Sequence, residues 1–151
     1  MKAIRWVEYT TAAWLGAALI TAATVAPAAF AVLPTRTLAG DLVGRVLPVL
    51  FLTGAALALG LVAMGRRGPK AGRRVAIGAV WLAAMLGAQF VVTPRVRALR
   101  AGMPIDQLSR EDPRRVSFGR LHAVSVGLLG VGMLAALVVL ISGARRAEPS
   151  V

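Results

Sequence analysis

Four long apolar runs, separated by connections in which arginine is the commonest charged residue, leave this chain few ways to fold. The runs, at about 7–33, 38–64, 75–93 and 113–143, each approach or exceed the roughly 20 residues that an α-helix needs to cross hydrocarbon. A backbone in lipid must satisfy its polar groups internally, so the expectation is an all-α integral membrane four-helix bundle, a single four-span domain over 1–151. Composition agrees, because 58% hydrophobic residues and a mean hydropathy of +0.74 exceed what an ordinary soluble domain carries.

A formal charge of +12, from 18 Lys and Arg against 6 Asp and Glu, raises the question of nucleic acid. The charges flank the apolar runs, and the connections are too short to build a separate module, so the expected partner is the lipid bilayer and not nucleic acid. The absence of cysteine excludes disulfides and thiolate metal sites. A lone histidine excludes a haem held by two histidines of one chain and any ordinary multi-histidine zinc site. Neither a cofactor, nor a metal, nor enzymatic chemistry is expected from this set. Met85 and Met133, in separate apolar runs, read as packing.

The first run imitates a secretory signal in its positive start and in Ala28-Ala29-Phe30-Ala31, but it is far longer than the roughly 7–15 residues of a signal core and is expected to be retained. Pro27 should kink it and Pro34 stop it. Thr37 is the expected N-cap of the second helix, where Asp41 and Arg45 are four apart with the acid first and Pro48 falls near the membrane boundary. Gly54 with Ala58, and Ala56 with Gly60, have the spacing of close helix contacts, as do Ala79, Ala83 and Gly87 on the third helix, which Pro94 should end. Val96 with Leu99, and Ile105 with Leu108, suggest short amphipathic turns on the membrane surface. Asp112 followed by Pro113 marks the start of the fourth helix.

With four spans the ends of helices one and three and the starts of helices two and four share a side. Pro27, Phe30, Pro34, Asp41, Arg45, Pro48, Gln89, Pro94, Arg120, His122 and Ser125 therefore gather at one polar mouth. His122 and Ser125 share a helical face with Leu129, while Ala123, Gly127 and Gly130 form a neighbouring small-residue strip. Ordinary pairing accounts for the acids: besides Asp41 with Arg45, Asp106 with Arg110 and Glu111 with Arg115 are four apart, and Arg5 with Glu8 and Arg145 with Glu148 are three apart. A single histidine at a membrane boundary can equally be a structural hydrogen-bonding residue or mark a pathway. Positive charges divide evenly between the two sides, so orientation rests on the short, acid-free Arg66–Arg74 connection, which favours both termini in the cytoplasm and a multi-pass place in the cell membrane.

Val25-Ala-Pro-Ala-Ala-Phe-Ala-Val-Leu-Pro34, Ala39-Gly-Asp-Leu-Val-Gly-Arg45 and Phe118-Gly-Arg-Leu-His-Ala-Val-Ser125 together resemble a bacterial four-helix family of unknown function that is similar to eukaryotic transmembrane protein 205. Pro27, Phe30, Gly40, Gly44, Arg45, Phe118, His122 and Ser125 are the positions that look like that family's recurring residues. Ala123 stands where a glycine or another small residue is expected after the histidine. The resemblance implies a multi-pass membrane protein, with eukaryotic relatives associated with resistance to platinum drugs, and brings no catalytic mechanism.

Two functions follow. One is a small transport or export-associated protein, with Arg45, Gln89, Arg120, His122 and Ser125 as its solute-facing end. The other is a structural or accessory subunit in which the same residues lock helices and the small-residue seams recruit a second copy or another membrane protein. A cavity reaching His122 favours the first, and a packed His122 bonded to a backbone carbonyl favours the second. A membrane redox or haem subunit is disfavoured by the single histidine unless a dimer supplies the second ligand.

Overall fold

The computed structural model describes residues 2–66, 70–101 and 107–144, with side chains from Trp6 to Gly143. It is an all-α bundle, and four of its helical stretches are long and apolar enough to span a membrane: Trp6–Val32, Arg36–Met64, Ala71–Arg100 and Pro113–Gly143. The chain is a multi-pass membrane protein. Its core is small and close-packed because alanine and glycine at the crossings let large residues interdigitate. Trp14, Phe51, Trp81 and Met85 are buried among Ala18, Ala55, Ala58, Ala84, Ala88 and Ala136. The Trp14 and Trp81 rings meet at 5.0 Å with a 54° tilt, and the Trp14 indole N–H donates to the Leu50 carbonyl at 2.9 Å. A methyl group on Gly54 would lie 2.8 Å from the Trp14 ring, so only glycine admits that indole against the second helix.

Helix ends follow local chemistry, with two departures from expectation. The second helix, Arg36–Met64, is capped by Thr35, whose hydroxyl accepts from the Leu38 N–H at 3.2 Å, and not by Thr37. The two threonines offer the same hydroxyl, and the extended backbone of Thr35 (φ −135°, ψ 148°) is what makes it the cap. The third span does not end at Pro94. It runs as Ala71–Leu86, a π-helical segment Gly87–Val92, and then Thr93–Arg100. Proline normally breaks a helix because it lacks an N–H and its ring crowds the carbonyl four residues back. The wide π-turns immediately before Pro94 relieve that crowding, and the Thr93 hydroxyl donates to the Ala88 carbonyl at 2.9 Å. Val96 and Leu99 consequently belong to the span and not to a separate surface turn; Ile105 lies outside the described residues.

Pro27 is accommodated in the same way. The first span runs as Lys2–Ile20, a π-helical segment Thr21–Val25 and Ala26–Val32, with Pro27 just past the wide turns. Pro48, by contrast, sits inside a continuous α-helix, where the Gly44 carbonyl lacks its usual amide partner. At the fourth helix, Pro113–Ala144, Asp112 caps the start by accepting from the Arg114 N–H at 2.8 Å. The Arg114 guanidinium donates back to the Leu99 and Ala101 carbonyls, closing the C-terminal end of the third span.

The small-residue seams are only partly where spacing puts them. Gly54 and Ala58 are buried at a helix contact, but Ala56 is exposed and Gly60 faces open space. On the third span the contact face is Gly78, Trp81, Ala84, Met85 and Ala88, whereas Ala79 and Ala83 are exposed. In an alanine-rich helix several faces satisfy the same spacing, and the one carrying the buried Trp81 is the one that packs.

Candidate functional site

Above the aromatic core the bundle separates into two helix pairs. Ala26–Val32 packs on the second helix, and Thr93–Arg100 packs on the fourth, while the contact of the first span with the fourth helix is made by Lys2–Ile20, lower down. Between the pairs lies an open cavity of about 740 Å³ to which all four spans contribute.

Arg36, Arg45, Arg97, Arg100 and Arg115 bring five guanidinium groups to its wall, against one carboxylate, Asp41. His122 and Ser125 stand on the fourth-helix side, with Phe118 and Gly119 one turn earlier. Residues 115, 118, 119, 122 and 125 fall on one helical face, which is why the fourth helix presents them together. The Phe118 and His122 rings are stacked, 6.2 Å apart and within 9° of parallel. His122 makes no hydrogen bond among the described residues, whereas Ser125 is buried at the cavity floor. Phe30, Val43, Leu47 and Val96 supply apolar wall.

The guanidinium groups have different duties. Arg100 lies over Gly40, donates to the Thr37 carbonyl and pairs with Asp41, both at 2.9 Å, and so ties the two helix pairs together across the cavity. A side chain at Gly40 would collide with that guanidinium, its Cβ 2.9 Å from Nη2. The expected Asp41–Arg45 pair is therefore not the one formed: the tertiary partner displaces the local one because Arg100 reaches a carbonyl and a carboxylate at once. Arg115 donates to the Leu108 carbonyl at 2.6 Å and not to Glu111. Asp106, Arg5, Arg145 and Glu148 of the remaining expected pairs lie outside the described side chains. Arg36, Arg45 and Arg97 carry no hydrogen bond or ion pair among the described residues.

Of the residues expected at the mouth, Phe30, Asp41, Arg45, Pro48, His122 and Ser125 line the cavity and Pro34 does not, while Gly40, Gly44 and Phe118, singled out only by the family resemblance, line it as well. Gln89 and Arg120 are not among its walls. Gln89 is half-buried in the π-helical segment with its carbonyl oxygen unpartnered, and Arg120 is exposed on another face of the fourth helix. Pro27 and Pro94 do not line the cavity but end the wide turns below its rim. Arg36, Arg97, Arg100 and Arg115 are cavity residues that the sequence reading did not single out. A signal existed in Thr93, Val96, Arg97 and Arg100, which recur on one helical face, and placing the helix end at Pro94 concealed it. Among the described residues no group of three or more His, Asp or Glu side chains is placed to hold a metal ion.

A second, smaller cavity, about 80 Å³, lies at the opposite end between Glu8, Lys70, Arg73, Arg74 and apolar neighbours. It is lined by one acid and three bases, and it has no histidine.

The four-span fold with its cavity between helix pairs defines a multi-pass membrane protein of unknown function. The chain belongs to the family described as a domain of unknown function (DUF4149), whose model matches residues 9–104. That match takes in the first three spans and the part of the cavity wall they supply. Comparison with curated proteins and with solved structures gave no match.

Proposed function

We propose that this chain is a solute-handling protein of the cell membrane, transport- or export-associated and not an enzyme, whose arginine-lined cavity is the solute-facing end. One observation carries the reading: an open cavity of about 740 Å³ reaches His122 and Ser125 and presents three guanidinium groups that have no partner among the described residues. All three are exposed to solvent and share one concave wall, where like charges focus a positive potential. The excess of arginine over acid favours an anionic solute over a bare metal cation. The acid-free Arg66–Arg74 connection supports both termini in the cytoplasm, with the cavity then opening to the opposite side. Resemblance to the bacterial relatives of transmembrane protein 205 supports a link to drug or metal resistance.

The test compares a deletion strain with its parent across platinum compounds, metal ions, cationic drugs and anionic amphiphiles. His122→Gln should insert and fold normally, because the amide can still hydrogen-bond, yet lose the phenotype of the intact chain. If deletion changes no sensitivity and instead destabilises a co-purifying membrane protein, the solute reading fails.

A second reading has its own support. Ala123 and Gly127 are exposed, and nothing lies within 4 Å of where a methyl on Gly127 or Gly130 would sit, so the fourth helix offers a small-residue face with no partner in the described chain. Such a face suits a second copy or another membrane protein, as an accessory subunit would need.

A further inference from the structure

We infer that the cavity binds the phosphate group of an anionic amphiphile that enters sideways from the bilayer, between the first and fourth helices. The inference rests on the solute reading above and names its ligand class. Two independent features carry it, the chemistry of the wall and the shape of the opening.

The wall is bipartite. Arg36, Arg45 and Arg97 stand on the second and third spans without partners among the described residues, and a guanidinium presents its donors in the fork that matches phosphate oxygens. Arg100, held by Asp41 and the Thr37 carbonyl, keeps the two walls at a fixed separation. Phe30 and Phe118 face the same space from the first and fourth helices, together with Val43, Leu47 and Val96. A purely hydrophilic anion would find no use for that apolar half. A molecule with a charged head and a hydrocarbon chain uses both.

The opening is lateral. Ala26–Val32 packs mainly on the second helix, and the first span meets the fourth helix chiefly through Lys2–Ile20, so the two helices make at most slight contact at the level of the cavity. Phe30 on the first span lines the cavity, and Val126 on the fourth helix lies near the helical face that carries His122; both are exposed. These residues would face acyl chains. His122, stacked on Phe118 and exposed, stands at the gap with its ring nitrogens free to meet a headgroup.

The experiment uses the full chain purified in an uncharged detergent, with bound lipid counted by native mass spectrometry and stability followed on heating. Phosphatidic acid should bind saturably and about tenfold more tightly than phosphatidylcholine, the combined worth of three solvent-screened charge contacts. Substituting Arg36, Arg45 and Arg97 together by glutamine should remove that preference, and Arg120→Gln, which changes an exposed arginine outside the cavity, should keep it. Inorganic phosphate and glycerol phosphate should compete only weakly. Equal binding of the two lipids by the unaltered protein overturns the inference, and so does a preference that survives the triple substitution. Inorganic phosphate binding as tightly as phosphatidic acid overturns the amphiphile and its lateral route while sparing the solute site. A resistance phenotype lost on His122→Gln, without any lipid preference, likewise removes this ligand class alone. Absence of both phenotype and preference removes the two proposals together.

Discussion

Arg100 reaches Asp41 at 2.9 Å from the far end of the third span, fifty-nine residues along the chain from a carboxylate that has an arginine four positions away on its own helix. The longer connection is formed because the same guanidinium also caps the Thr37 carbonyl and lies flat on Gly40, where no side chain intervenes. Arg100→Gln should lower stability in detergent by about 1–2 kcal/mol, below the full worth of a charged hydrogen bond because Asp41 is half exposed. Gly40→Val should reproduce the loss by pushing the guanidinium away. Thermal melts of the two variants and their combination check this: non-additive losses are expected, and additive ones would show that Gly40 and Arg100 act separately.

Gly54 and Gly60 lie on one helix, and only the first is in a tight contact. Gly54→Ala should destabilise by about 1–3 kcal/mol, because the new methyl meets the rigid Trp14 ring at 2.8 Å. Gly60→Ala, facing open space, should be neutral or slightly stabilising through helix propensity. Equal melting temperatures would contradict the close approach of the first and second helices.

Trp14→Phe keeps an aromatic ring against Trp81 but removes the donor to the Leu50 carbonyl, and should cost about 1 kcal/mol. Trp14→Ala should cost about 3–5 kcal/mol, as expected for emptying a large buried site. Because this residue is central to the core, N-terminal sequencing of membrane-extracted protein should find the first span present. A mature chain beginning near Val32 would leave Trp81 and Leu50 without their partner.

Lys70 and Ser109 are exposed at opposite ends of the bundle, and the chain has no native cysteine. Single cysteines at these two positions should be labelled by an impermeant reagent from opposite sides of the membrane. Same-side labelling would contradict the four-span topology, whereas labelling of position 70 from outside only would reverse the orientation and leave the fold intact.

Run length and internal hydrogen bonding made the four spans legible in sequence, and the direction of each span located one polar end. His122, Ser125 and Phe118 could be found because a single helical face carries them. What escaped was set by geometry that spacing does not encode. Pro94 reads as a terminator because the wide turns before it carry no compositional mark, and Val96 and Leu99 then read as surface turns although they continue the span. The partner of Asp41 was missed because a local pair and a tertiary one are equally compatible with the sequence. Gln89 was counted into the mouth by its polarity, and the π-helical segment turns it into the bundle wall.

The two π-helical segments also set the rotational phase of the structure. A π-turn closes on the fifth residue and not the fourth, so it acts as one residue inserted into an otherwise regular α-helix. Each residue of an α-helix turns the axis by roughly 100°. Removing one residue from Thr21–Val25 or from Gly87–Val92 would therefore act less as a shortening than as a rotation of everything beyond it. Trp14 and Trp81, below the two segments, would keep their places, while Phe30 in one case and Thr93, Arg97 and Arg100 in the other would swing out of the cavity wall. A one-residue change of length in these turns is thus expected to separate a folded lower bundle from a working upper one.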